Sequence, residues 1–426
     1  MDKQQDKIAV YGFGKIGQAL AAHLLKGAAV VHAIDRDQQL INAVNEGVFN
    51  TAEPGVGEVL HKSHSDGRFT MSADAVSVMD CKTIIICLPL SINDAKLPDA
   101  APFIDALVAI APCLSERTML VVETSVPVGF CRTRILPALE IAGRIHGRDY
   151  FLVHSPELIK SGTMLEQLSS VPKILGGVSD EATEAALTLY ESFFKAAGVT
   201  GVDSIEAAEM VKMAGMMYRD INIALANQLA VFAGVAGINL PALTDLINSD
   251  GEAGLLQPGI GVGGHCTPVY PYFMMDSFAN NGMQFTLARE ARLINEKMPA
   301  YAASLIDVHE GDVVLILGLA FRAGVREDAY SPAYGLSAIL REKGCSVLLH
   351  DPVYSAEEIT SKGFLPGDLY ESGASVLVLV TMHQEYKSLD YQRLYESGVR
   401  EILDGRNRMD RDAILQSGIM YKGIGR

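Results

Sequence analysis

A chain of 426 residues is too long for one ordinary hydrophobic core, because cores stop growing at about 250 to 300 residues. Hydrophobic residues make up 49% of the chain and charged residues 20%, which is typical of a folded globular protein and excludes a disordered one. The formal net charge of −16 disfavours nucleic acid and membrane surfaces as partners. We therefore expect two or three domains. The net charge does not exclude small ligands, including phosphorylated ones, as binding partners.

Six cysteines are scattered along the chain without the paired spacing of a metal site. They are Cys81, Cys87, Cys113, Cys131, Cys266 and Cys345. No signal peptide precedes the first predicted strand, and the longest apolar runs, such as TIIICLPL, are too short to cross a bilayer. The sequence therefore predicts a cytoplasmic protein with free thiols, no metal and no membrane segment.

The predicted elements begin with KIAVYGFGKIGQALAAHLL, which indicates a strand, a glycine turn and a helix. Strand and helix patterns then alternate through AVVHAID, TIIICLPL, TMLVVET and DYFLVHS, as expected for a parallel sheet covered on both faces. From about residue 203 the pattern becomes helical, and GDVVLILGLAF restarts the alternation near residue 312. The sequence thus predicts an α/β protein with two Rossmann-like, doubly wound parallel-sheet domains, residues 1–202 and 305–426, joined by a helical middle domain, residues 203–304.

A glycine motif joins the first predicted strand to the first predicted helix. Gly12, Gly14 and Gly17 have the spacing G-x-G-x-x-G, and Asp35 ends the next strand about 20 residues further on. A tight turn without a ligand is the alternative, but the strand, the helix and the acid together favour a dinucleotide site. The carboxylate of Asp35 would accept hydrogen bonds from ribose hydroxyls and repel a 2′-phosphate, which favours NAD as the cofactor. The neighbouring Arg36 leaves NADP as the alternative cofactor.

A second glycine-rich segment, GVGGHCTPVYPYF over residues 261–273, contains Cys266. An isolated cysteine is usually a small buried side chain. The preceding glycines let backbone amides approach a bound group, and His265 is adjacent, so a reactive thiolate is the other interpretation.

The helical run EMVKMAGMMYRDINIALANQ contains Lys212 and Met216 one turn apart on one face. Taken alone, Lys212 would be a solvated surface lysine and the methionines core residues.

The whole set of motifs resembles the UDP-glucose/GDP-mannose dehydrogenase family, most closely its UDP-N-acetylmannosamine dehydrogenase branch. The matching stretches include YGFGKIG, AEPGVGEVL, VVETSVPVGF, HSPELIKSGT, YRDINIALANQ, PGIGVGGHCTPV, NEKMP, LDGRN and YKGIGR. They occur in the family's order over essentially the whole chain, and GVGGHC together with YRDINIALAN is the most specific part.

The resemblance implies an NAD-dependent oxidation of the C6 alcohol of a nucleotide-linked sugar to a carboxylate, in polysaccharide biosynthesis. It implies that Cys266 is the nucleophile, that Lys212 stabilises an oxyanion and that Glu157 places or activates water. Ser125 takes the place of a threonine that orders a water. The first domain would bind NAD, the middle domain would form a homodimer, and the last would bind the nucleotide sugar.

The remaining site predictions fall into two sets. The predicted cofactor-binding residues are Gly12, Gly14, Lys15, Ile16, Gly17, Asp35, Arg36, Pro89, Leu90, Ser125 and Arg322. The predicted substrate-binding residues are Glu157, Leu158, Lys160, Lys212, Gly259, Gly263, His265, Phe321 and Arg322.

Two positions near the implied reaction centre depart from the family pattern. Met216 replaces an asparagine that donates a hydrogen bond, and Tyr270 replaces an aspartate. A tyrosine with its ordinary pKa of about 10 is a poor base at neutral pH. We still include Tyr270 among the candidate catalytic residues.

Ligand-binding positions depart as well. Arg322 stands for a lysine and Ala329 for an arginine in FRAGVREDAYSP. Lys160 and Ser161 replace the usual residues after Glu157, and Leu90 replaces a threonine expected to contact the cofactor. These changes leave three interpretations open: the family reaction, a variant with a changed substrate or a two-electron oxidation, and a non-catalytic NAD-binding paralogue.

Overall fold

Alternating strands and helices occupy both ends of the chain in the computed structural model, which describes residues 7–27 and 29–426. The chain divides into two compact units. The first unit runs to residue 215 and includes residues 272–284, and the second unit contains residues 216–271 and 285–426. The predicted division into three domains at residues 202 and 304 stays a prediction.

The first unit is built on an eight-stranded sheet. Its strands are β1 (Lys7–Tyr11), β2 (Val30–Ile34), β3 (Phe69–Ser72), β4 (Thr83–Ile86), β5 (Thr118–Val122), β6 (Tyr150–His154), β7 (Lys173–Gly177) and β8 (Val199–Gly201). Their order across the sheet is β3-β2-β1-β4-β5-β6-β7-β8. In the register of the central strands, Ala9 lies opposite His32 on one side and Ile84 on the other.

Most neighbouring strands of this sheet run parallel, but β7 runs antiparallel to β6. The strands β7 and β8 are parallel to each other, so together they oppose the rest of the sheet. A parallel neighbour needs a long crossover, usually a helix. The chain between β6 and β7 contains only a four-residue helix, Met164–Gln167. The sheet is therefore mixed at this end, where the sequence suggests parallel strands throughout.

Helices cover both faces of this sheet. They are α1 (Lys15–Lys26), α2 (Gln38–Asn45), α3 (Val56–Ser65), α4 (Ala101–Ala109), α5 (Leu136–Ile141), α6 (Met164–Gln167) and α7 (Asp180–Phe193). Successive residues of a strand point to opposite faces. Ile8 and Val10 accordingly belong to one buried apolar cluster, and Ala9 belongs to another. Apolar cores on both faces explain why the central strands are continuous hydrophobic runs.

Between Gly201 and Val313, all of whose residues are described, the chain forms helices and no strand. These helices are α8 (Ile205–Ala236), α9 (Leu240–Ile247), α10 (Tyr270–Asn280) and α11 (Thr286–Leu305). The predicted helical middle region is confirmed. None of the helices in the described part of the chain is both long enough and apolar enough to span a bilayer.

The second unit contains a six-stranded parallel sheet. Its strands are β9 (Val313–Leu317), β10 (Ser346–His350), β11 (Leu365–Pro366), β12 (Val376–Leu379), β13 (Glu401–Asp404) and β14 (Met420–Gly423), in the order β11-β10-β9-β12-β13-β14. The helices α12 (Pro332–Glu342), α13 (Ala356–Ser361), α14 (Tyr391–Glu396) and α15 (Arg411–Gln416) complete the alternation. The predicted fold class is confirmed.

Both sheets use the same turn after their first strand. Gly12 has φ +97° and donates its N–H to Ile34 O at 2.8 Å, and Gly318 has φ +98° and donates to His350 O at 2.8 Å. A Cβ at Gly12 would lie 2.7 Å from the carbonyl of Cys87, so only glycine fits there. In each sheet the chain reverses its strand order at this point, and ligands bind there in doubly wound folds.

Candidate active site

The turn between β1 and α1 has the geometry of a dinucleotide site. A Cβ at Gly17 would lie 2.0 Å from Gly12 O, so the third glycine permits the helix to pack on the turn. Gly14 is exposed, and a Cβ there would meet no protein atom within 4 Å. Protein packing thus requires glycine at positions 12 and 17 but not at 14. The exposed position of Gly14, directly before the N-terminus of α1, leaves room for a phosphate group.

Asp35, half-buried just beyond β2, faces this turn. Its carboxylate accepts the N–H of Phe13 at 2.7 Å and the N–H of Asp37 at 3.1 Å. These bonds hold the acid beside the glycine turn, where it can accept ribose hydroxyls. The residues therefore fit NAD.

Exchanging Gly14 for alanine tests this interpretation. The backbone at Gly14 has φ −72°, which alanine adopts, so we expect the free energy of unfolding to change by less than about 0.5 kcal/mol. The NAD dissociation constant should rise at least about tenfold, because the methyl group occupies the phosphate position. Calorimetric titration with NAD and thermal unfolding measure the two effects.

Gly335→Ala is the matched control for Gly14→Ala. Gly335 lies in α12 of the second unit, and its Cβ would make ordinary contacts of 3.5 Å with Pro299. We expect unchanged NAD affinity for this variant. Unchanged affinity for Gly14→Ala as well would contradict the proposed cradle.

The other predicted cofactor residues follow the carboxyl ends of neighbouring strands. Lys15 and Ile16 start α1, and Arg36 is exposed just after β2. Pro89 and Leu90 come after β4, and buried Ser125 comes after β5. Because the carboxyl ends of parallel strands meet at one edge, these residues share one edge of the first sheet.

Thr124 ties two of these loops together. Its hydroxyl donates to Leu88 O at 2.6 Å, which links the loop after β5 to the loop after β4. Leu90 packs against the apolar cluster under this edge, which a threonine would do less well.

Lys212 and Glu157 form a buried ion pair in the first unit. The Nζ of Lys212 lies 3.1 Å from Oε2 of Glu157, and the two side chains are 8% and 9% exposed. Glu157 lies just beyond the carboxyl end of β6, and its Oε1 accepts the N–H of Ile159. A buried charge is costly unless it is paired. Lys212 is thus not the solvated surface lysine that its helix pattern allows.

Two ionisable side chains near this pair, His154 and Cys87, are neutral near pH 7. Burial, and secondarily Lys212, lowers the pKa of His154 to about 3. Burial, with Glu123 as the next cause, raises the pKa of the Cys87 thiol well above its ordinary value. The raised pKa of Cys87 therefore disfavours the thiolate that a nucleophile needs.

A second buried polar group, which sequence reasoning missed, lies in the same unit. Lys173 donates to Glu123 at 2.6 Å, and the hydroxyl of Tyr190 donates to the same carboxylate at 2.9 Å. All three side chains are buried. Nothing local in the sequence signals this group, because its members come from three distant elements.

Two more substrate predictions lie on the loop after Glu157. Leu158 is half-buried and Lys160 is exposed. Glu53 anchors this loop, since its two carboxylate oxygens accept the N–H of Gly162 at 2.8 and 2.9 Å. Glu53 lies in AEPGVGEVL, a stretch that could have directed attention to it.

Cys266 lies in the second unit, one turn before α10. Its carbonyl accepts the N–H of Val269 at 3.1 Å and that of Tyr270 at 2.9 Å. The side chain of Cys266 is partly exposed, whereas burial raises the pKa of each of the other five thiols. Tyr270, the first residue of α10, is buried.

The glycines before Cys266 pack against the loop after β9. A Cβ at Gly263 would lie 2.8 Å from Cβ of Phe321, and one at Gly264 would lie 3.0 Å from its ring. Gly264 donates its N–H to Ala329 O at 2.7 Å. The missing side chains therefore serve close packing, which is why glycine is needed at both positions.

Ionisable groups of the second unit flank this loop. His265 is exposed and its Nε2 lies 3.4 Å from Glu327 Oε1. Arg322 lies near the ring of Phe321. The terminal nitrogen of Arg406 would lie 3.1 Å from a Cβ at Gly259, so a side chain at position 259 would crowd this arginine. Arg406 was not among the predicted site residues. Its motif, LDGRN, was visible in the sequence.

The predicted residues thus form two groups, each within one unit. The first unit contains the glycine turn, Asp35, Ser125, Glu157 and Lys212. The second contains Gly259, Gly263, His265, Cys266, Tyr270, Phe321 and Arg322. The individual roles of these residues stay predictions.

Models of one family match three successive parts of the chain. The NAD-binding domain of the UDP-glucose/GDP-mannose dehydrogenase family matches residues 6–194, its central domain residues 206–297 and its UDP-binding domain residues 315–411. UDP-N-acetyl-D-mannosamine dehydrogenase of Pyrococcus horikoshii is 31% identical and aligns over 99% of both chains. NDP-N-acetyl-D-galactosaminuronic acid dehydrogenase of Ralstonia nicotianae is 29% identical, over 94% of this chain and 95% of its own length.

Solved structures agree with these matches. The structure of the UDP-N-acetylmannosamine dehydrogenase from Pyrococcus horikoshii covers 99% of both chains with a TM-score of 0.87 and 30% identity. The protein is thus an NAD-dependent dehydrogenase. It belongs to the UDP-glucose/GDP-mannose dehydrogenase family, as its motifs predict.

Proposed function

We propose that this protein oxidises the C6 alcohol of a UDP-linked sugar of the N-acetylmannosamine type to a carboxylate, through a thioester on Cys266. The buried Lys212–Glu157 pair carries the proposal, because a lysine and a carboxylate kept from water beside the cofactor edge suit oxyanion chemistry. The proteins named UDP-N-acetyl-D-mannosamine dehydrogenase among its relatives support the choice of sugar.

The glycine turn and Asp35 would hold NAD, which would supply the hydride acceptor for each of the two oxidations at C6. Per alcohol, two NAD⁺ and one water are consumed, and one carboxylate, two NADH and three protons are formed.

Cys266 supplies the covalent step. Its thiolate attacks the carbon of the C6 aldehyde, a sulfur–carbon bond forms, and the carbonyl electron pair moves to oxygen. After the second oxidation the sulfur is held as a thioester. Water then attacks this carbon, the sulfur–carbon bond breaks, and the thiolate leaves.

Lys212 and Glu157 act on the oxygen atoms in this proposal. The ammonium of Lys212 stabilises negative charge on the oxygen at C6, and the carboxylate of Glu157 accepts a proton from the attacking water. Cys266 belongs to the second unit and the other two to the first, so their combined use rests on the family resemblance.

Met216 and Tyr270 make this chain an unusual case. Met216 cannot donate a hydrogen bond to the oxygen at C6, and loss of one such donor typically costs about 10²–10³ in rate. A variant that stops after two electrons, and a paralogue that binds NAD without turnover, are the alternatives that these two residues favour.

Counting NADH separates the three functions. A panel of UDP- and GDP-linked sugars is incubated with excess NAD, and NADH and product acid are measured per sugar consumed. We expect two NADH per UDP-N-acetylmannosamine. One NADH per sugar would support the two-electron variant, and NAD binding without NADH from any sugar would support the paralogue.

We also propose a homodimer formed through α8. Tyr218, Leu225, Phe232 and Val235 on this helix are exposed, Phe232 at 64% and Val235 at 87%. Exposed apolar stripes of this kind usually mark interfaces, and a second copy offers the same stripe. Sedimentation should give twice the mass of one chain, and Phe232→Asp should shift the protein toward the monomer. A monomeric wild type would overturn the dimer.

A further inference from the structure

The loop that carries Cys266 is anchored at both ends to a chain of buried polar side chains. The chain consists of Asn227 and Asp220 on α8 and Asn295 and Arg292 on α11, each at most 3% exposed. All of these residues, and the loop itself, belong to the second unit.

The front end of the loop is held by Asn227. Its Oδ1 accepts the N–H of Gly259 at 2.9 Å, and its Nδ2 donates to Oδ1 of Asn295 at 2.9 Å. Asn295 in turn donates to Oδ1 of Asp220 at 2.9 Å and to its backbone carbonyl at 3.1 Å. The amide of Gly259 is therefore connected to Asp220 through two asparagines.

The far end of the loop is held by Arg292. Its Nη1 lies 3.2 Å from Oδ1 of Asp220 and donates to the carbonyl of Thr267 at 3.4 Å. Thr267 directly follows Cys266. The middle of the loop also lies against α11, where a Cβ at Gly261 would be 3.6 Å from Asn295 O. One polar chain thus fixes the loop before and after the cysteine.

Such a chain is a costly way to gain stability. Two buried charges lose their hydration, and apolar residues of similar size would often stabilise the fold as well or better. A hydrogen-bonded polar chain instead fixes one geometry, because each member is held to the next by bonds of defined length and direction. Cys266 depends on this geometry, since a displacement of about 1 Å at a reacting atom can cost about 100-fold in rate.

We infer that Asn227, Asn295, Asp220 and Arg292 are positioning residues that set the place and reactivity of Cys266. The role in turnover rests on the proposed function. The role in fixing the loop does not, because it can be measured on the thiol itself.

Arg292→Lys separates positioning from folding. Lysine keeps a positive charge near Asp220, but its shorter side chain cannot place a nitrogen where Nη1 contacts both Asp220 and the Thr267 carbonyl. We expect kcat to fall about 10- to 100-fold while KM for NAD stays within about twofold. The rate of Cys266 alkylation by iodoacetamide, followed by peptide mass spectrometry in the folded protein, should change by at least about threefold.

Arg289→Lys is the matched control. Arg289 lies on the same helix, is about half exposed and pairs with Glu290. We expect this variant to match the wild type in kcat and in alkylation of Cys266. Equal effects of both arginine variants would overturn the inference.

Asn227→Asp probes the other end of the loop. The carboxylate can still accept from Gly259, but it meets Oδ1 of Asn295 without a proton to donate. As for Arg292→Lys, we expect kcat to fall while KM for NAD stays nearly unchanged. The rate of Cys266 alkylation should change as well. Its control is Asn222→Asp, because Asn222 on α8 bonds Gly254 and Leu256 ahead of the loop. This control should leave alkylation unchanged.

Normal alkylation and kcat in both test variants, with only a lower melting temperature, would overturn the positioning role. If neither variant folds, amide exchange of the wild type decides the question. The Gly259 N–H should exchange at least about 100-fold more slowly than that of exposed Gly254, and equal rates would contradict the anchor. Failure of the proposed function would appear differently, as turnover that does not need Cys266.

Discussion

Cys266→Ala is expected to lower the rate of carboxylate formation by roughly 10⁴-fold or more, because the variant cannot form the thioester. The NAD dissociation constant should stay within about twofold, since the glycine turn belongs to the first unit. Product acid and NADH are measured with saturating nucleotide sugar. Turnover at the wild-type rate in this variant would end the nucleophile assignment.

Cys345→Ala is the matched control for this experiment. Cys345 lies in the second unit, is buried in its apolar core, and has a pKa raised by burial. We expect normal turnover and a modest loss of stability from the small cavity. Alkylation gives an independent check, because partly exposed Cys266 should react before the five thiols whose pKa burial raises.

Lys212→Met is expected to act on both stability and rate. The carboxylate of Glu157 would be left buried without its charge partner, and breaking a buried pair in this way costs about 3–5 kcal/mol. Loss of an oxyanion-stabilising group should also lower kcat by about 10²–10³. Denaturant unfolding and steady-state kinetics measure the two effects separately.

The double variant Lys212→Met/Glu157→Gln separates the effect on stability from the effect on rate. Removing both charges should restore much of the stability, because no unpaired charge is left, but it should not restore turnover. Stability unchanged in the single variant would contradict the buried pair. Activity regained in the double variant would contradict the catalytic role of Lys212.

Met216 and Tyr270 bear on how these results would be interpreted. If two NADH are formed per sugar despite both substitutions, other groups of the site must hold the oxygen at C6, and Lys212 becomes the chief candidate. If one NADH is formed, the effect of Cys266→Ala on the first oxidation should be small, since the aldehyde forms before the sulfur acts. The two experiments therefore constrain each other.

The sequence by itself determined the central strands, the glycine turn with Asp35, and the glycine loop around Cys266. These features are local: a buried central strand must be apolar along its length, and Gly17 must lack a Cβ because a Cβ there would lie 2.0 Å from the oxygen of nearby Gly12. The strands β3, β7, β8, β11 and β14 were not predicted, and all of them except β7 lie at a sheet edge. An edge strand is short and half exposed, so it lacks a continuous apolar run.

Only the tertiary structure decided which polar side chains meet. Glu157 and Lys212 pair across 55 residues, and Asp220 meets Asn295 across 75. The reversal of β7 and β8 likewise depends on how the chain returns from β6. Periodicity reports which face of an element is buried, but the partner across a core is set by the packing of distant elements. That packing turned Lys212 and Arg292 from apparently ordinary helix residues into buried, paired charges.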